Sequence, residues 1–184
     1  MSRIAALERP WPEEFEQAMA RTMPPGMEPL MLFKALATSP RAWTKFSAGS
    51  LLDKQSPLSL KAREIVIDRT TARCGCDYEW GVHVRLFADR AGLTPQQIAD
   101  TARKDFDPAF WSDDESALIR TVDTLVDRKR LDNGEYAELR SYFSEDQVLE
   151  IIQLVAFYHG VSLVCGALDL APEPGMPTLP QEGA

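Results

Sequence analysis

Between Glu64 and Gly92 the chain reads EIVIDRTTARCGCDYEWGVHVRLFADRAG, and most of its chemically capable side chains fall there. Cys76, Glu79 and His83 follow one another at three- and four-residue intervals, offsets that share one face of an α-helix. A thiol, a carboxylate and an imidazole are therefore expected to point into one space. An imidazole beside a carboxylate is an acid–base pair suited to neutral pH. A cysteine at a helix N-terminus is favoured as the thiolate. Glu64, one helix earlier, reaches the same space if the two helices form a hairpin. The trio also has a spacing that could hold zinc, but no fourth ligand is evident and the chain has two histidines, so no metal is expected. Each residue has a plainer reading as well. His83 could be a core histidine bonded to a carboxylate, the glutamates solvated helix charges, and Cys76 a small core hydrophobe.

These side chains need helices to hold them. Leu58 to Ala72 reads as one, with Pro57 at a first helical position and Ile65, Val66 and Ile67 among its apolar residues. Arg73-Cys74-Gly75 breaks it. A second runs from about Cys76 or Asp77 to Ala91, carrying Trp80, Val84, Phe87 and Ala88, and Gly92 stops it. Upstream, Pro12 to Arg21, Pro29 to Ala37 and Ser39 to about Leu52 are further helices. Downstream, Thr94-Pro95-Gln96-Gln97 opens one to about Arg103, Ser112 with Glu115 caps another, and Glu135 to Tyr142 is short. Ser144 with Gln147 opens a long helix to about Leu168. No alternating strand pattern is visible, so the chain is expected to be all-α, with roughly eight or nine helices. Residues 1–171 form one domain, and the Pro-rich segment 172–184 reads as a flexible tail.

The composition narrows the function. A chain of 184 residues can bury a full core, and its 45% hydrophobic and 26% charged residues are ordinary for a soluble protein. A net charge of −8 argues against general nucleic-acid or anionic-membrane binding, which need a basic face. The longest apolar stretch, Ile151 to Leu168, contains Gln153, His159 and Ser162, and reads as a buried core helix. Three cysteines without a leader pattern suggest a reducing cytoplasm and no disulfide framework.

The segments SLKAREIVIDRT, CDYEWGVH and RLFADRAGLTPQQI, with the closing EIIQLVAFYHGVSLVCGAL, resemble the carboxymuconolactone decarboxylase family and its alkyl hydroperoxidase D-like relatives. The combination of YEWxxH with a helix ending Gly-Leu-Thr looks like the decarboxylase-type branch. The resemblance is strongest from Pro57 to Gln97 and implies an alkyl hydroperoxidase D-like helical bundle. In the peroxidase branch, two cysteines flank two residues, a histidine follows and a glutamate lies one helix earlier. Those positions fall on Cys76, Glu79, His83 and Glu64, so the second cysteine is replaced by Glu79. Cys74 is then the substitute partner for Cys76, through a more strained Cys-Gly-Cys bridge.

The decarboxylase branch implies a cofactor-free lyase for a small carboxylated lactone or related product of aromatic-compound breakdown. In that reading His83 is the proton donor and Glu79 and Glu64 orient or tune it. Arg63, Arg69 and Arg73 are candidates to hold a substrate carboxylate, and Tyr78 and His159 complete the substrate-binding candidates. Tyr78 is equally a core or interface anchor with Trp80. Cys165, in an apolar run, reads as structural. The resemblance further implies a homo-oligomer, a trimer or hexamer with a dimer also possible, using apolar helices at 30–52. Two other functions fit the same residues: a thiol-dependent peroxidase using Cys76, and a non-catalytic helical oligomer.

Overall fold

The computed structural model describes residues 2–180, and every regular element among them is helical. The order is α1 (Glu13–Thr22), α2 (Met31–Leu36), α3 (Pro40–Ala48), α4 (Leu60–Arg73), α5 (Asp77–Ala91), α6 (Pro95–Thr101), α7 (Asp113–Arg128), α8 (Asn133–Tyr142) and α9 (Glu145–Leu168). A single 3-10 turn, Pro108–Phe110, interrupts the loop before α7. The all-α expectation holds.

Helix α4 is the axis of the bundle and packs against α5, α6, α7 and α9. Every residue from Arg63 to Thr71 is buried, so the helix is enclosed on all sides. Such a helix is ordinarily apolar all round. This one carries Arg63, Glu64, Asp68, Arg69, Thr70 and Thr71 into the interior instead. The threonines satisfy their hydroxyls locally, on the Val66 and Ile67 carbonyls. Glu64 and Arg69 find partners on other helices, and the partner of Glu64 builds the site.

The helix starts follow from side-chain chemistry. Helix α4 begins at Leu60, later than the start expected near Pro57, and Ser59 caps it, its hydroxyl accepting from the Ala62 amide at 3.1 Å. Capping boxes open α6 (Thr94, Gln97), α7 (Ser112, Glu115), α8 (Asp132, Glu135) and α9 (Ser144, Gln147). Between α4 and α5 the chain reverses over Gly75, whose φ of +64° is a left-handed conformation that glycine adopts without penalty. That turn makes α4 and α5 the expected hairpin and leaves Cys76 as the residue before the first turn of α5. The Trp80 indole then donates to Thr101 Oγ1 at 3.1 Å and fixes α5 against α6.

Helix α9 is long and apolar enough to cross a bilayer by length and composition, but in this fold it is a core helix packed on α4, α5, α7 and α8. Beyond it the Pro-rich segment doubles back across α5. Glu173 accepts hydrogen bonds from the Tyr78 hydroxyl, at 2.5 Å, and from the Met31 amide. The Leu179 amide donates to Asp77 at 2.7 Å. Between these points the Pro177 carbonyl lies over Gly81, only 2.1 Å from where a Cβ would stand. As far as residue 180, then, the segment read as a flexible tail lies as a strap on α5; residues 181–184 fall outside the described residues. At the other end of the chain, the Arg3 amide and guanidinium donate to the Leu168 and Ala167 carbonyls at the end of α9.

Candidate functional site

Glu64 and His83 meet as the hairpin predicts. The His83 imidazole is 2% exposed and Glu64 is fully buried. Nδ1–H donates to Glu64 Oε2 at 2.7 Å, and Nε2 lies 3.5 Å from Glu79 Oε1, one turn back on α5. Glu64 uses its other oxygen, Oε1, to accept from Arg63 Nε at 3.2 Å. Phe87 stacks on the imidazole at 5.1 Å and Tyr158 of α9 meets it edge-on at 5.0 Å, so ring orientation is set by packing as well as by hydrogen bonds.

Burial alone would push the His83 pKa down. The charge of Glu64, its hydrogen bond and the nearby Glu79 outweigh that and raise it to about 10. His83 is therefore an imidazolium at neutral pH. Asp68, one turn beyond Glu64, is also fully enclosed, and neither of its carboxylate oxygens has a partner. Burial, opposed by His83 and reinforced by Glu64, raises its pKa well above the ordinary value. The interior around His83 thus sets the Arg63 guanidinium and the imidazole beside the side chains of Glu64, Glu79 and Asp68. The donor atoms of Glu64, Asp68 and His83 lie within 4.8 Å of one another, close enough to share a cation; the protonated imidazole is the cation of this group. The trio with zinc-like spacing, Cys76, Glu79 and His83, is not assembled, because Cys76 turns elsewhere.

A cavity of about 370 Å³ opens against Glu79 and His83. Its walls are apolar: Met23 and Pro24 after α1, Leu30 and Phe33 around α2, Leu52, and Val82, Leu86 and Phe87 of α5. Arg90, two turns after His83, stands at its rim. It is exposed, and no ion pair engages it among the described residues.

The arginines read from the sequence as carboxylate holders go elsewhere. Arg69 is fully buried and clamps Asp123 of α7 through Nε and Nη2, both at 2.7 Å. The same guanidinium donates to the carbonyls of Thr101, Arg103 and Lys104 at and just beyond the end of α6. Arg73 pairs with Asp127 at 2.8 Å on the outer face of α7. Arg69 is held as a buried guanidinium needs, by a full set of acceptors, while Arg73 is partly exposed and its Nε has no hydrogen-bond partner. Arg63 supports Glu64 and does not line the cavity. Tyr78 is an anchor rather than a substrate residue: its hydroxyl accepts from the Leu32 amide at 3.0 Å while donating to Glu173. His159 lies on the far side of α9, its Nδ1 3.6 Å from the Cys74 sulfur, and lines two separate shallow clefts.

Cys76 also departs from the shared space expected of it. It does not line the cavity. Its thiol is buried in the core, as is that of Cys165 of α9. Hydrogen bonding from Cys165 outweighs burial and lowers the Cys76 pKa, while Cys165 itself is pushed far up. The sequence reading missed Asp68, Phe87, Arg90 and Tyr158. Asp68 stands one helical turn from Glu64, and Phe87 and Arg90 one and two turns from His83, so spacing could have found these three. Tyr158 comes from a distant helix and left no local signal.

Residues 37–121 match the carboxymuconolactone decarboxylase family, a segment that contains Glu64, Cys76, Glu79, His83 and Arg90. No curated protein matches the chain. Among solved structures, an alkylhydroperoxidase AhpD core protein from Ralstonia eutropha JMP134 is 18% identical with a TM-score of 0.78, over 94% of this chain and 93% of that one. An uncharacterised peroxidase-related protein from Silicibacter sp. TM1040 is 17% identical with a TM-score of 0.74, over 96% and 97%. The debrominase Bmp8, solved with 2,3,4-tribromopyrrole, is 17% identical with a TM-score of 0.68, over 95% and 93%. The fold is alkyl hydroperoxidase D-like, and the family segment carries the residues around His83.

Proposed function

We propose that this protein is a cofactor-free lyase that decarboxylates a small carboxylated lactone or a related product of aromatic-compound breakdown, with His83 as proton donor. The observation that carries the reading is an imidazolium, held by a buried carboxylate, at the wall of an apolar cavity of about 370 Å³. Loss of carbon dioxide breaks a carbon–carbon bond and leaves its electron pair delocalised into the lactone carbonyl as a dienolate. The Nε2 proton of His83 then goes to carbon, and the neutral imidazole keeps Nδ1–H on Glu64. Placing a cation beside developing negative charge in an apolar site lowers the barrier most, because little solvent competes. Glu79, at 3.5 Å from Nε2, holds the ring in register until the proton leaves.

Arg90 supplies the charge complement at the rim. A cation paired with the carboxylate that is lost would stabilise the starting material and oppose the reaction. Its role is therefore to bind an anionic group that remains on the product. The family match and the AhpD-like fold support either a decarboxylase or a peroxidase-related role, and the site geometry favours the first, since Cys76 does not face the cavity.

The test is a panel of carboxylated five-membered lactones followed by carbon dioxide release, with wild type, His83→Gln and Arg90→Ala. Turnover that is abolished in His83→Gln and shows a raised KM with near-normal kcat in Arg90→Ala supports the reading. Wild-type binding of panel members without carbon dioxide release, or unchanged turnover in His83→Gln, sinks it.

A further inference from the structure

Cys74, read from the sequence as the substitute partner of Cys76, has a different neighbour. It is the C-cap residue of α4, and it and Cys76 are both free thiols. Its sulfur is 3.6 Å from His159 Nδ1 on α9. The C-terminal end of a helix carries partial negative charge and disfavours a thiolate, and burial raises the Cys74 pKa further. The neutral thiol is therefore the donor and Nδ1 the acceptor. That is the relation of a nucleophile to an adjacent base that takes its proton as it attacks. Cys74 is only partly buried, so its sulfur can be reached. The two clefts that share His159 lie on either side of this contact. One, of about 280 Å³, has apolar walls of Leu125, Ile152, Val155 and Ala156, with Lys129 among them. The other, of about 180 Å³, holds Cys74 itself beside Arg73, Val126 and Leu163. Lys129 is exposed, and no ion pair engages it among the described residues. A thiol, its base, apolar walls and an unneutralised cation thus meet on the face of α9 away from His83, which lines neither cleft.

We propose that Cys74 and His159 form a covalent capture site for small conjugated enones that carry a carboxylate. His159 Nδ1 takes the thiol proton as the Cys74 sulfur attacks the carbon β to the ketone. A sulfur–carbon bond forms, the carbon–carbon double bond becomes single, and its electron pair moves onto the ketone oxygen as an enolate. The imidazolium then returns the proton to the α-carbon. Every atom of both partners stays in the adduct, and no oxidant, leaving group or second thiol takes part. Addition suits this dyad better than substitution, which would leave the proton on His159 and an anion to expel. The unpaired Lys129 charge favours the carboxylate, and the apolar walls favour the carbon frame. The site shares no residue with the His83 cavity and does not rest on the lyase reading.

The full-length reduced protein is treated with equimolar β-benzoylacrylate, an aryl enone with a carboxylate, and followed by intact mass and peptide mapping. The expected result is a mass gain of one probe, placed on Cys74, with Cys76 and Cys165 unmodified. With probe in excess, the rate should saturate, and the saturated analogue β-benzoylpropionate should slow it by competition. Scaled to the reactivity of N-acetylcysteine, the carboxylate should be preferred over its methyl ester, and Lys129→Gln should remove that preference. His159→Gln should slow the addition by about 100-fold, the lower range for loss of a positioned base. Should that variant not fold, saturation and competition in the wild type decide the matter. An adduct formed first on Cys76 or Cys165, a rate linear in probe and unmoved by β-benzoylpropionate, or a folded His159→Gln that reacts as fast as wild type would each overturn the proposal. No readout depends on carbon dioxide release, and His83→Gln should label as wild type does, so a failure here and a failure of the lyase reading are separable.

Discussion

Glu64 Oε2 receives the Nδ1 proton of His83 at 2.7 Å, with Glu64 fully buried and His83 2% exposed at the cavity wall. A hydrogen-bonded ion pair so enclosed makes the histidine charged by construction. Its proton is released with difficulty to water but can be delivered to a strongly basic carbanion. The pH behaviour of the protein should show this pair.

The His83 pKa in the fold is about 10, against 6.5 in the unfolded chain. The folded state therefore binds the extra proton in this window, and the stabilisation is complete below about pH 6.5 and lost as pH rises through about 10. Melting temperature followed from pH 7 to 10.5 should fall in wild type more steeply than in His83→Gln. Turnover should show an alkaline limb near the same pH. Glu64→Gln removes the strongest source of the upward shift, so that limb should move to lower pH; an unmoved limb would assign it to another group.

Asp68 gives the opposite lever. Its folded pKa is raised, so the fold must keep it protonated at pH values where the unfolded chain ionises it. Stability is reduced progressively as pH rises above about 4. Asp68→Asn keeps the shape and removes the titration, and it should melt at a higher temperature than wild type at pH 8, with the gap shrinking towards pH 4. A variant less stable than wild type at both ends would show that Asp68 is ionised and needed as such.

Arg69 should report on folding and not on substrate. Arg69→Met leaves the Asp123 carboxylate and the carbonyls beyond α6 without their donor. Removing one side of such a buried pair costs about 3–5 kcal/mol. Urea unfolding should register the loss, while any surviving activity keeps its KM. A raised KM with unchanged stability would return Arg69 to the substrate.

Gly81 is a contact requirement. A methyl there would stand 2.1 Å from the Pro177 carbonyl, which is backbone and cannot move aside as a side chain does. Gly81→Ala should cost about 1–3 kcal/mol, the range for overpacking, and should expose the strap to proteolysis near residue 177. Tyr78→Phe, which removes the hydroxyl shared by Leu32 and Glu173, should have a smaller effect in the same direction.

The helices were legible because their boundaries are written in short-range chemistry. Thr94-Pro95, Ser144 with Gln147, and Gly92 each act within one turn, and the structure uses each as read. The Glu64–His83 pairing was legible for a related reason: Gly75 leaves too little chain for anything but a hairpin. What the sequence did not show is which face of a wholly buried helix meets which neighbour. Arg63, Arg69 and Arg73 all lie on α4, yet one braces Glu64, one clamps α7 and one is partly exposed. The strap over Gly81 was missed because proline-rich composition describes the free chain, not what its carbonyls and its one glutamate can bond to.

The bonds from Arg3 to the end of α9 bring the first described residues beside the last helix. With residue 3 and residue 168 already in contact, the order in which the helices are joined is not essential to their packing. Joining the two ends of the chain with a flexible linker long enough to respect the strap, and opening it between Arg130 and Leu131, ahead of the Asp132 cap of α8, would yield a circular permutant. It would start at α8 and keep α4, α5 and their hairpin uninterrupted, which is the condition for retaining the interior they build.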